Sequence, residues 1–293
     1  MRGEITLRKT LEEYKTVYMA YRNFAERTRE EYLNDLEDLV EFLGRLGIDK
    51  GGKISLATIE RYLAELERRG FAGATRKRKT VTIRSFLTFL YKDGYIGTDL
   101  ARQVIPPFVE NKTPQFLTEA EYNRLREACA GNPRDRAIIE ILLQTGIRLS
   151  ELTRLSIDDV EPGVDEPGGQ QTDAYVRIKG NRSKKDRIIP LNDKAQEAIK
   201  AYLSEQSAMG SSILFLNRFG QPYGDRGVQK MLRRYLKQAR IERGSVHTLR
   251  HTFGTHHTAK GISVKILQEV MGHKDPRSTS IYVSIVRGFT NQL

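Results

Sequence analysis

Cysteine is nearly absent from this 293-residue chain. Cys129 stands alone, which excludes an intramolecular disulfide framework and a multi-cysteine zinc site, and fits a reducing compartment. Long hydrophobic runs are missing too. Ala137–Leu143 is among the longest, and a membrane span needs roughly 18–20 apolar residues, so no integral membrane protein is expected. The opening segment, MRGEITLRKTLEEYK, has no apolar core of the kind a secretory signal carries. No GxxxxGK[ST] loop and no HExxH pair occurs, and neither internal repeats nor low-complexity segments are evident. Acidic charge is in deficit: 49 Lys and Arg face 37 Asp and Glu, a net charge of +12 with a pI near 9.7. That balance favours a polyanionic partner, most simply nucleic acid. The excess is spread along the chain, +4 over residues 1–112 and +8 over the rest, so contact with such a partner need not sit in one module.

The hydrophobic pattern of residues 5–110 is helical. Tyr32, Leu36, Leu39, Val40 and Leu43 form one stripe along 27–46, and Ile59, Leu63 and Leu66 form another along 54–69, ending at Gly70. A third helix is predicted over 76–92, with Val81, Ile83, Leu87, Leu90 and Tyr91 mainly on one side. Its other side begins Arg76, Thr80, Arg84, Thr88, each four residues apart and so on a shared face. With Lys77, Arg78 and Lys79 at the helix start, this basic, hydroxyl-bearing surface offers Arg76, Lys77, Arg78, Lys79, Thr80 and Arg84 as candidate phosphate contacts. The solvated face of an ordinary helix is the competing reading.

Ile105-Pro106-Pro107 and Lys112-Thr113-Pro114 cannot continue a helix and mark a linker, placing one domain at 1–110 and a second at 116–293. Thr118-x-x-Glu121 is a capping box, with Leu117 and Tyr122 placed as its hydrophobic staple, and opens a helix near whose end Cys129 is a packed residue rather than a nucleophile. An apolar helix, 134–144, stops at Gly146. A loop is expected over 161–173, a β-hairpin from 174–179 and 187–191, a short apolar strand at 213–216 between helices 193–206 and 226–240, and a mostly helical stretch over 245–284 broken at Gly261 and Gly272.

All five histidines fall within 247–273. A metal pair at His247 and His251 lacks further ligands nearby, and purely structural histidines are also possible. In the alternative, His247 and Arg250, three apart on a helix, stand with Arg148 around one phosphate. Two guanidiniums can each hold two of its oxygens, and an imidazole can move a proton near neutral pH.

Thr145-Gly146-Ile147-Arg148-Leu149-Ser150-Glu151-Leu152, His247-Thr248-Leu249-Arg250-His251, Gly272-His273 and Ile281-Tyr282, in this order and spacing, resemble the boxes of the tyrosine recombinases, the phage-integrase-like site-specific recombinases, and most closely their Xer-type members. The resemblance spans nearly the whole chain. It implies a mostly α fold: an N-terminal helical bundle (a SAM-like core-binding domain) and a mixed, mainly helical catalytic domain with a small antiparallel β-sheet. It implies that Arg148 and Arg250 clamp the scissile phosphate, that His273 donates a further hydrogen bond to it, and that Lys179 protonates the leaving 5′-oxygen. His247 would assist proton transfer, Glu151 would support the first arginine, and Tyr282 would attack phosphorus to give a 3′-phosphotyrosine. No cofactor, metal or ATP is implied. The implied partners are double-stranded DNA at a specific site, a homotetramer across two such sites, and a paired recombinase or accessory protein, in the cytoplasm at the nucleoid. Eleven residues, Val283–Leu293, follow Tyr282, fewer than in relatives that exchange a longer tail between subunits. The rivals are a type IB topoisomerase and a catalytically silent DNA-binding protein.

Overall fold

The computed structural model describes residues 4–110, 113–163, 173–180, 185–206, 211–273 and 275–290. Several of its helices begin where short polar side chains accept from the first free backbone N–H groups. Ser55 accepts from Thr58 N, Thr118 from Glu121 N and Ser245 from Thr248 N, each at 3.3 Å, and the third helical residue answers each cap from its own side chain. Asn132 Oδ1 accepts from Asp135 N at 2.9 Å, ahead of a proline in the first turn. The chain divides into two compact units, Met1–Lys112 and Thr113–Leu293.

In the first unit, α1 (Leu7–Glu13) passes through a π-helical turn into α2 (Met19–Tyr21), followed by α3 (Glu26–Arg45), α4 (Leu56–Arg68) and α5 (Gly73–Lys92). Their apolar stripes meet in one core that includes Tyr14, Leu39, Tyr62, Phe86 and Leu90. The face expected of α5 is corrected here. Thr80 is fully buried, Lys79 is buried, and Val81 and Tyr91 are exposed. Phe86 and Phe89 supply core contacts that the expected stripe left out. The helix packs on more than one side, against α3, α4 and the 3₁₀ turn Leu100–Arg102, so little more than a strip at Lys77, Arg78 and Val81 faces solvent along its middle.

The second unit holds α6 (Glu119–Cys129), α7 (Pro133–Thr145), α8 (Leu149–Leu152), β1 (Val160–Glu161), β2 (Tyr175–Ile178), β3 (Arg187–Pro190), α9 (Asp193–Gln206), α10 (Asp225–Gln238), α11 (Val246–Ala259), α12 (Val264–Met271) and α13 (Arg277–Thr290). The sheet runs β1-β2-β3, antiparallel throughout, with Val160 opposite Val176 and Val176 opposite Ile189. Val176, Ile178 and Ile189 point into the core beside the buried helix α7. Of the connections expected around this sheet, 164–172 and 181–184 lie outside the described residues. The apolar segment 213–216 is not a strand of the sheet. Leu214 N donates to Leu155 O, whereas Phe215 O accepts from Tyr223 N, so its backbone bonds go to two different partners and no ladder forms. Cys129 ends α6 fully buried, and burial pushes its thiol up to about 12, far from a thiolate at neutral pH. No helix among the described residues is long and apolar enough to cross a membrane.

Candidate active site

The sharp stop of α7 sets up the site. Gly146 takes the left-handed conformation (φ +58°), and a Cβ there would lie 2.5 Å from the Phe253 ring, so only glycine fits. Two residues later Arg148 caps α8, and Glu151 at the third helical position accepts from Arg148 N at 2.9 Å. That local box leaves the Arg148 side chain directed across the unit. Its Nη2 donates to Gly272 O at 2.8 Å, and Nη1 lies 3.2 Å from Glu151 Oε1 and 3.4 Å from Met271 O.

Arg250 arrives on α11 and is buried. Nη2 donates to Met271 O at 2.7 Å and Nη1 donates to Gly146 O. Burial first, and Arg148 beside it second, pull its guanidinium down to about 10, so it stays charged at neutral pH. The two cations therefore meet at the carbonyl end of α12, the negative end of that helix, which partly offsets their repulsion. An oxyanion between them would complete that compensation.

Tyr282, on α13, is 1% exposed. Its ring lies against Gly254, where a Cβ would come within 2.5 Å of it, and in a small apolar cluster with Phe253, Leu267, Met271 and Ile285. Burial raises the phenol pKa, and Arg250 pulls in the opposite direction. The hydroxyl's partner is His251, whose Nδ1 is 3.2 Å away. Desolvation lowers the His251 pKa, and the neutral ring can accept the phenol hydrogen. His247, one turn earlier, is exposed, and its charge acts on His251. His273 follows Gly272, itself left-handed (φ +62°). Its Nδ1 is 2.7 Å from Thr279 Oγ1, and its ring is nearly parallel to that of Tyr282, centroids 6.5 Å apart.

The structure thus brings Arg148, Glu151, Arg250, His273 and Tyr282 together around the end of α12. Lys179, just beyond β2, is held elsewhere: Nζ is 2.9 Å from Asp159 Oδ1 and 3.4 Å from Ser156 Oγ. The basic run of α5 belongs to the other unit and is largely ion-paired there. Arg76 meets Glu67 at 2.8 Å, Arg78 meets Asp35, and Lys79 lies 3.1 Å from both Asp35 and Asp38. Arg84 donates to Ala101 O, and Lys77 is exposed. Two members of the site went unrecognised in the sequence. The sequence offers His251 only as half of a metal pair with His247, although its place four residues later puts it on the same face. Arg187, at the start of β3, grips Glu151 through both carboxylate oxygens, at 2.7 and 3.2 Å. Its place two residues before inward-facing Ile189, on the same face of the strand, was the available signal. Among the described residues, no group of three His, Cys, Asp or Glu is arranged to hold a metal ion.

The model of the phage integrase family matches residues 115–287, and that of the phage integrase N-terminal SAM-like domain matches residues 11–94. The chain is 34% identical over 283 residues to tyrosine recombinase XerC of Pelotomaculum thermopropionicum, covering 90% of this chain and 89% of that protein. It is 31% identical over 299 residues to tyrosine recombinase XerD of Chlorobaculum tepidum, covering 98% and 95%. Among solved structures, a lambda integrase dimer bound to a COC′ core site aligns with a TM-score of 0.76 at 19% identity, covering 96% of this chain and 78% of that one, a likeness of fold.

Proposed function

The chain belongs to the phage integrase family and is a site-specific tyrosine recombinase, and from that premise we propose how its own residues cut and rejoin DNA. Arg148 and Arg250 receive the scissile phosphate in place of the backbone carbonyls they now hold, and His273 adds a hydrogen bond to the same group. The Tyr282 Oη attacks phosphorus while the bond to the 5′-oxygen breaks. The phenol proton passes to an imidazole, with His251 in direct contact and His247 one turn away. Lys179 gives a proton to the departing 5′-oxygen once it leaves Asp159. The products are a 3′-phosphotyrosine and a free 5′-hydroxyl, and reversal on a different strand completes exchange. Because the covalent bond conserves the phosphodiester's energy, the cycle needs no ATP. Preorganised cations facing a transition state that gains negative charge supply the main stabilisation.

The observation that carries this reading is the convergence of two arginines, one buried and one half-buried, on one helix end, beside a buried tyrosine whose hydroxyl meets an imidazole. The partner is double-stranded DNA at a specific site. Contacts from Arg76, Lys77, Arg78, Lys79, Thr80 and Arg84 of α5 require the first unit's ion pairs to open and the buried Thr80 to be uncovered, so Lys77 is the member placed to act first. The active assembly is four copies across two sites, alone or with a paired recombinase or accessory protein, at the nucleoid. A solved structure of the same fold is a lambda integrase tetramer bound to a Holliday junction, which supports four copies as the assembly.

The test uses nicked suicide duplexes tiled across the surrounding genome, with EDTA present and ATP absent. A protein–DNA adduct on a denaturing gel is expected for wild type and not for Tyr282→Phe, with DNA binding retained. An adduct that persists in the variant would refute the tyrosine assignment.

A further inference from the structure

Glu151 is half-buried among cations, yet one of its partners has no part in the chemistry described above. Arg187 approaches from β3 with a side chain 12% exposed. It sets Nη2 2.7 Å from Glu151 Oε2 and Nη1 3.2 Å from Oε1, a paired grip on both oxygens. Its third nitrogen, Nε, donates to Val270 O at 2.7 Å. The other face of the same carboxylate holds Arg148, through its backbone N–H at 2.9 Å and its Nη1 at 3.2 Å.

The carbonyls involved are consecutive. Val270 O takes Arg187, Met271 O takes Arg250 and Arg148, and Gly272 O takes Arg148. The next residue is His273. Packing here is tight: a Cβ on Gly272 would lie 3.0 Å from Arg187 Nη1 and 3.4 Å from Arg148 Nη1. Arg187 thus ties β3 both to the acid behind Arg148 and to the backbone leading into His273.

We propose that Arg187 is a positioning residue for strand cleavage, fixing Glu151 and the end of α12 so that Arg148 and His273 stand at the phosphate together. The inference rests on the recombinase reading. Without Arg187, Glu151 keeps a half-buried negative charge with Arg148 as its main counter-ion, and Arg148 turns from the phosphate toward the acid. A misplacement of about 1 Å at such a site can cost on the order of 10²-fold in rate.

The experiment measures single-turnover formation of the covalent adduct at saturating DNA, and the DNA dissociation constant separately. The probe is a nicked duplex selected by wild type from the genomic pool, made with a phosphodiester or with a methylphosphonate at the scissile position. The methylphosphonate carries no negative charge and leans less on the arginine clamp. Arg187→Gln is expected to slow cleavage of the phosphodiester about 10²-fold with binding little changed, and to slow the methylphosphonate much less. Arg187→Lys, which keeps the charge but cannot span both oxygens and Val270 O, should recover part of the rate. The Arg187→Gln penalty should also shrink in a Glu151→Gln background, where the acid no longer competes for Arg148. Wild-type cleavage rates in both Arg187 variants would overturn the proposal, as would equal slowing on the two substrates. If Arg187→Gln does not fold, Arg187→Lys decides by the same two-substrate comparison. If wild type forms no Tyr282 adduct on any duplex of the pool, the recombinase reading fails, and that outcome is separate from any difference between the variants.

Discussion

Gly254 shows how a single position can govern Tyr282, the proposed nucleophile. The Tyr282 ring occupies the space a side chain would need, with its Cε2 and Cζ both 2.5 Å from where a Cβ would sit. Gly254→Ala should destabilise the second unit by about 1–3 kcal/mol, as overpacking does, and should displace Tyr282. Urea unfolding and adduct yield check the two effects separately. The histidines of α11 act together at this scale. Burial holds His251, His256 and His257 below their usual value of 6.5. The unfolded chain then takes up protons that the folded chain resists, so these residues contribute stability that is present above about pH 6.5 and is lost as pH falls below it. A lower urea midpoint at pH 5.5 than at pH 7.5 is the expected result, and a flat profile over that interval would contradict it.

At the scale of elements, the caps decide where helices begin and the hairpin decides what Lys179 can reach. Thr118→Ala removes the acceptor for Glu121 N and should cost about 1 kcal/mol, read from the denaturant midpoint at unchanged m-value. Lys179 follows β2 directly, and its ammonium group sits on Asp159. Desolvation works to raise the Asp159 carboxyl, but hydrogen bonds from Ser156 and Lys179 outweigh it and hold the pKa below the usual value. Lys179→Met should slow cleavage by about 10²–10⁴-fold, the usual range for loss of a general acid. A duplex whose leaving oxygen is replaced by sulfur needs no such proton, and its cleavage should be nearly unaffected. Equal slowing on both duplexes would move the acid to another residue.

For the molecule as a whole, the net charge of +12 favours DNA, and the number of phosphates neutralised sets how binding responds to salt. Each phosphate neutralised releases a counter-ion, so the logarithm of the binding constant should fall linearly with the logarithm of salt concentration. With six to ten such contacts, affinity should drop by roughly 10³–10⁵-fold between about 50 and 200 mM salt. The α5 ion pairs bear on that number. Arg78 and Lys79 already face Asp35 and Asp38, so Lys77→Ala should lower the salt slope by about one, and Lys79→Ala should change stability more than slope. Filter binding across a salt series distinguishes the two.

What the sequence alone determined is local or carried by strict spacing. The stop at Gly146, the capping box at Thr118, the buried helix α7 and the order of the Arg148, Arg250, His273 and Tyr282 boxes are written within a few neighbouring residues each, because caps, left-handed glycines and helical stripes depend on short-range geometry. What only the tertiary structure decided are the partners brought from far along the chain. Asp35 and Asp38 reach Lys79 from another helix, which turned an expected open basic face into a packed one. Arg187 reaches Glu151 across 36 positions, and His251 meets Tyr282 across 31. Such pairings follow from how helices and strands stack, and a buried charge takes whichever opposite charge or carbonyl that stacking presents, so spacing can set the face of His251 or Arg187 but cannot name its partner.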